Sequence, residues 1–167
     1  MKSNTAIYTD TNEISTETKA DYAFFVNAAK YGTIAGGLVA LFFFTLQSIG
    51  MSDAIGMKYV GYGMLGIILT IALVDYERFL KTGTTFKNGM NYAAQITLIT
   101  GATIVAINAI TFFLGSNLVF SKYGFEATNF PKLLLLSGAI FLEIMVVGLI
   151  FTLIVLQYLK SRRDYQS

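Results

Sequence analysis

Four stretches of this chain, 31–49, 55–74, 92–115 and 133–159, are apolar and long enough to cross a bilayer. A helix rises 1.5 Å per residue, so about 20 apolar residues match a hydrocarbon core of about 30 Å. The fourth stretch reaches roughly 40 Å and can span with tilt or project beyond the lipid. The fold expected is all-α: a polytopic membrane protein with one transmembrane domain over 19–159.

Composition agrees with lipid as the solvent. The chain is 54% hydrophobic and 13% charged, against about 45–50% and about 25% for soluble domains. It has no cysteine and no histidine, which removes disulfides, iron–sulfur clusters, histidine-ligated haem and the ordinary zinc sites. No cofactor is expected. A net charge of +2 is too small to point to nucleic acid.

The placement of the charges is more informative. With four spans, both termini share a side with the loop 75–91. That side holds Lys2, Lys19, Lys30, Arg78, Lys81, Lys87, Lys160, Arg162 and Arg163, whereas the other holds Lys58, Lys122 and Lys132. Nine basic residues against three place both termini in the cytoplasm. Arg78, Lys81, Lys87, Lys160, Arg162 and Arg163 form basic clusters suited to anionic lipid head groups.

Residues 1–18 are rich in Ser, Thr and Asn and read as a flexible cytoplasmic tail. The pair Thr18 and Asp21 fits a capping box, so a helix is expected to start there and run on into the first span. Residues 160–167 form a basic cytoplasmic tail. Thr85 is the expected N-cap of the third helix, behind the turn residues Gly83 and Thr84. That loop is not a phosphate loop, because it lacks GxxxxGK[ST] and no strand precedes it. On the outer side, Phe120, Tyr123, Phe125 and Phe130 suit the membrane interface, and Pro131 suits the first turn of the fourth helix.

Small residues at steps of three and four mark where helices meet. In the first span Ala29, Gly32, Gly36, Ala40, Phe43 and Gln47 form one seam; in the second, Tyr59, Gly63, Gly66 and Thr70 form another. Lipid tails are as apolar as leucine, so helices in a membrane gain from close backbone approach, which small residues permit. Gly32, Gly36, Ala40, Gly63 and Gly66 are therefore the expected helix-packing positions.

The third span carries Thr97, Thr100, Gly101, Asn108 and Thr111 within roughly a quarter of its circumference. This stripe is either internal, with threonines bonded to their own helix carbonyls, or the wall of a polar path.

Glu143 lies in the middle of LLLLSGAIFLEIMVVGLIF. An acidic residue at the centre of a span costs about 2.5–3.5 kcal/mol, which the surrounding leucines and isoleucines offset for insertion. No Lys, Arg or His occupies the body of another span. Three options remain: the carboxyl is held neutral, since burial disfavours its charged form; it faces a group on another protein; or it lines a proton or cation path. Ser137, Phe141, Ile144, Gly148 and Thr152 make the small-residue seam of this helix. Glu143 points more than about 90° away from it, with Ala139, Ile150 and Gln157 nearest.

The stretch LKTGTTFKNGMNYAAQITLITGATIVAINAI, followed by VGLIFTLIVLQYLKSRR, resembles the small four-helix inner-membrane proteins of Bacteroidota classed as domains of unknown function. The resemblance implies a four-helix architecture and an inner-membrane location, and it implies no activity. The chain departs from that group in a shorter outer loop and in Glu143.

The function expected is a non-catalytic membrane subunit or assembly factor of a larger inner-membrane complex. Its partners would be other integral membrane proteins or further copies of itself, with surrounding lipid. The alternative is a small proton- or cation-coupled carrier or channel using Glu143 with Asn108, Thr100, Thr97 and Gln157. Catalysis is not expected: Asp75 and Glu77 stand beside Arg78 and Lys81 as helix-end charges, and no nucleophile–base pairing is apparent.

Overall fold

The computed structural model describes residues 5–49, 55–80, 86–114 and 130–164. These form four helices: α1 (Thr5–Ser48), α2 (Ile55–Leu80), α3 (Phe86–Phe113) and α4 (Phe130–Asp164). Each is long and apolar enough to cross a membrane. The expected N-cap Thr85, Lys81 and the outer-loop aromatics Phe120, Tyr123 and Phe125 lie outside the described residues. Pro131 is the second residue of α4, where its missing N–H has no helical partner to lose.

α1 begins at Thr5 rather than at the expected Thr18. Neither glycine nor proline occurs between Thr5 and Tyr31. A helix nucleated in the first span therefore meets no breaker as it propagates toward the N-terminus.

The helices form a square in the order α1, α3, α4, α2. α3 carries the two most extensive interfaces, one with α1 and one with α4. α2 also touches α1 and α4, and reaches α3 across the middle, whereas α1 and α4 make no contact among the described residues. α1 and α3 run parallel: Gly32 lies against Ile96 and Ile99, and Gly36 one turn on lies against Thr100 and Thr103. α3 and α4 run antiparallel, with Gly101 under the Phe141 ring and Gly148 against Thr97.

These approaches are close enough that only glycine fits. A Cβ on Gly32 would stand 2.8 Å from Ile96 O and from Ile99 Cβ; one on Gly36 would stand 2.7 Å from Thr103 Cβ. Gly32 and Gly36 of the seam expected on α1 thus face α3, Ala40 on it is buried, and Phe43 at its far end lies against Gly61 of α2.

The seam expected on α2 needs correction. Gly66 does pack, under the Phe151 ring of α4, but an added Cβ on Gly63 would meet nothing within 4 Å. Gly61, against Phe43, takes that role. The buried side of α2 is drawn by Leu65, Leu69, Ala72, Leu73 and Tyr76. At 100° per residue its centre lies about 100° around the helix from the Tyr59, Gly63, Gly66 and Thr70 line, which meets it only at Gly66.

One end of the bundle is fastened by aromatic and polar contacts. Tyr76 and Tyr92 stack at 4.6 Å between centroids, and Phe24 stands edge-on to Tyr76 at 5.2 Å. Beside them the Tyr31 hydroxyl donates to Asp75 Oδ2 at 2.5 Å, tying α1 to α2. Asp75, read from sequence as a solvated helix-end charge, is exposed yet serves as this acceptor. Hydrogen bonds to charged groups contribute about 1.5–3 kcal/mol when shielded, and less where water competes. Tyr31→Phe is expected to lower stability by about 1 kcal/mol, read as the unfolding midpoint in detergent.

Candidate functional site

The α3 stripe faces the interior of the bundle. Thr97 and Thr100 are fully buried, and Asn108 is 1% exposed. Their hydroxyls turn back to backbone carbonyls: Thr97 Oγ1 donates to Ala93 O at 2.8 Å, and Thr100 Oγ1 lies 2.9 Å from Ile96 O. The same Thr100 hydroxyl also lies 3.1 Å from Gly32 O on α1, so its one proton is shared across the α1–α3 contact. Thr111 donates to Asn108 O at 3.0 Å, and on α4 Thr152 donates to Gly148 O at 2.7 Å. A hydroxyl committed to a carbonyl in its own helix satisfies itself without needing water.

Asn108 behaves differently. Neither atom of its side-chain amide has a hydrogen-bond partner among the described residues, although such groups are nearly always satisfied when buried. It is the one member of the stripe whose polar atoms are left unmatched.

A cavity of about 20 Å³ lies between all four helices, at the level of Thr100 and Ile104 on α3 and Ile140 and Ile144 on α4. Thr100 and Tyr62 are its polar lining residues. That volume holds about one water.

Glu143 sits at this depth but not in the cavity wall. It is half-buried, and it follows Phe130 by about 20 Å of helix. Its side chain leaves α4 about 80° around the axis from Phe151, which meets α2, and about 160° from Phe141, which meets α3. The carboxyl thus lies on the α2-side flank of α4, at the margin between bundle and surroundings. The side chains next to it on the surface are apolar and outward: Leu142 is 65% exposed, Val146 57% and Ile150 53%. Gln157, two heptads on, is exposed as well.

The structure therefore separates the residues that sequence grouped as one possible path. Thr97, Thr100 and Asn108 are internal, on the α3 face that packs against α1 and α4. Glu143 stands on the half-buried flank of α4 and Gln157 on its exposed side. What sequence reasoning missed is Gly148 as the seat for Thr97, and the Tyr31–Asp75 bond. The first had a signal, since Gly148 already stood on the α4 seam; the second joins residues 44 apart and had none.

Lys87 at the start of α3 and Lys160 and Arg162 at the end of α4 are exposed and, because those helices are antiparallel, share one end of the bundle. Lys30 is exposed near the same end. The side chains of Arg78, Lys81 and Arg163 lie outside those described.

No family model, curated protein or solved structure matches this chain.

Proposed function

We propose that this protein is a non-catalytic integral membrane subunit, an accessory or assembly factor of a larger bacterial inner-membrane complex, acting by lateral contact along α4. The observation that carries the proposal is the position of Glu143: half-buried, midway along the most apolar helix, on a flank whose neighbours Val146 and Ile150 face outward. An acidic side chain facing lipid at that depth costs about 2.5–3.5 kcal/mol. Protein packed over the flank would exclude lipid from the part of the side chain that the bundle leaves uncovered.

Membrane insertion is supported by the distribution of side chains. Large apolar groups point outward on every helix, as at Leu41, Ile67, Ile110 and Leu142, while Thr97, Thr100, Asn108, Ser137 and Thr152 are buried. Such an arrangement suits lipid outside and helix packing inside. The excess of basic residues at the shared end supports cytoplasmic termini, with Lys87, Lys160 and Arg162, together with Arg78, Lys81 and Arg163, against anionic head groups. The inner-membrane location rests on the resemblance to the four-helix proteins of Bacteroidota and on that charge bias.

The carrier alternative draws less support. A conduction path needs polar groups free to bind water or ions along its length, and the threonine hydroxyls of α3 and α4 are engaged with backbone carbonyls. Glu143 stands apart from them.

Native mass measurement after mild-detergent extraction tests the proposal. The expected result is a particle heavier than the 18.3 kDa chain, containing another integral membrane protein in fixed ratio. A chain that migrates alone under conditions that preserve other inner-membrane complexes overturns it.

A further inference from the structure

The flank between α1 and α2 carries charged groups near one end and apolar side chains beyond them. The Tyr31 hydroxyl donates to Asp75 Oδ2 and so fixes the carboxylate across the two helices. Asp75 is exposed and lies close to the end of the Tyr59–Glu77 span, next to Tyr76 and its ring contacts with Phe24 and Tyr92. Tyrosines gather where hydrocarbon gives way to head groups, and that is the depth of this carboxylate.

From there the flank turns apolar. Around α1, Ile34 and Leu38 lie within about 60° of Tyr31; around α2, Ile68 and Ile71 lie within about 40° of Asp75. Ile34, Leu38 and Ile71 are exposed at 45%, 40% and 50%, while Ile68 packs partly against the core. These side chains line a furrow that leads about 10 Å from Asp75 toward the opposite end of the bundle. Lys30, just before Tyr31, is exposed. Among the described residues neither Lys30 nor Asp75 is held in an ion pair.

We infer that this flank seats a phospholipid whose head group carries a primary ammonium beside its phosphate. Asp75 holds the ammonium, Lys30 holds the phosphate, and one acyl chain lies along Ile34, Leu38 and Ile71. Charge complementarity selects this occupant. Opposite charges flank one tyrosine, with Asp75 bonded to it and Lys30 adjacent in the chain, and both open onto an apolar furrow. A purely anionic lipid would suit Lys30 but set its charge against Asp75. A lysine of a partner protein would suit Asp75 but bring no anion to Lys30. A carboxylate has about four lone-pair sites, of which the Tyr31 bond uses one, and a primary ammonium offers N–H donors to the rest. A choline head group carries the same charge and no such donor. The inference requires the bundle to lie in a bilayer and is independent of the lateral contact along α4, so each can fail without the other.

Titrating the purified chain with single lipids of matched acyl chains, read as lipid adducts by native mass spectrometry, tests the site. Phosphatidylethanolamine is expected to bind about tenfold more tightly than phosphatidylcholine. Asp75→Asn, which keeps an acceptor for Tyr31, is expected to abolish that preference and to leave phosphatidylglycerol binding unchanged. Lys30→Gln is expected to weaken phosphatidylethanolamine and phosphatidylcholine together, since both carry the phosphate. O-Phosphoethanolamine, which has the charged groups without the chains, is expected not to displace the lipid at equal concentration. Equal binding of phosphatidylethanolamine and phosphatidylcholine by the unaltered chain overturns the inference without recourse to any variant. A preference that survives Asp75→Asn overturns it as well, and displacement by O-phosphoethanolamine would assign the site to a soluble phosphoamine instead of a lipid.

Discussion

Gly36→Ala is expected to destabilise the bundle by about 2–3 kcal/mol, while Gly63→Ala, the same chemical change, is expected to stabilise it by about 0.5–1 kcal/mol. The added methyl on Gly36 meets Thr103 Cβ at 2.7 Å and Thr100 O at 3.0 Å. The first is the branch point of a stiff side chain and the second is backbone, so neither can swing aside. α1 and α3 must separate, which also weakens the Thr100 contact to Gly32 O. At Gly63 the methyl enters open space, leaving only the gain in helix propensity over glycine. Unfolding midpoints of the two variants in one detergent, beside the parent, read both signs. A destabilised Gly63→Ala would mean that this face of α2 is packed after all.

Asn108→Leu is expected to raise stability, by about 1–2 kcal/mol. Leucine shares the branched heavy-atom skeleton of asparagine and brings no polar atoms, and both amide atoms of Asn108 are buried without hydrogen-bond partners among the described residues. Replacing an unsatisfied buried group by an apolar one of similar shape removes a desolvation penalty and loses no bond. Most core substitutions destabilise, so the sign is the test. A fall in the unfolding midpoint would show that the amide is bonded, to an internal water or to a residue outside those described. A gain in stability accompanied by loss of function would mark Asn108 as a position kept for its work.

How much of this was legible in sequence depended on the kind of signal. Long apolar runs set four helices, because in lipid every backbone group must be bonded within its own segment. The α1 seam was readable because Gly32 and Gly36 lie against α3 and Ala40, one turn on, is buried. On α2 the glycines are more evenly spread, at positions 56, 61, 63 and 66. A rule based on small residues alone chose a line about 100° off centre, whereas Leu65, Leu69, Ala72 and Leu73 mark the true face. The start of α1 was misplaced for a different reason: a cap at Thr18 is a local preference, and a continuous helix outweighs it when no breaker intervenes.

The candidate site followed the same division. That Glu143 leaves α4 away from Ser137, Ile144, Gly148 and Thr152 could be computed from spacing alone. Which helix lies on that side could not, since the square order of α1, α3, α4 and α2 depends on contacts between residues far apart in the chain. Asn108 was legible as part of a stripe, but its lack of partners was not, because it depends on what the other three helices place beside it.

A subunit that acts by lateral contact along α4 has Glu143 covered by protein in the membrane. A lipid-soluble carbodiimide reacts with a neutral carboxyl that faces the apolar phase, and mapping the modified peptide locates the adduct. The result predicted is little or no adduct at Glu143 in native membranes and strong labelling once detergent has separated the chain from its partner. Equal labelling before and after extraction would show a carboxyl open to lipid throughout, and would contradict the account.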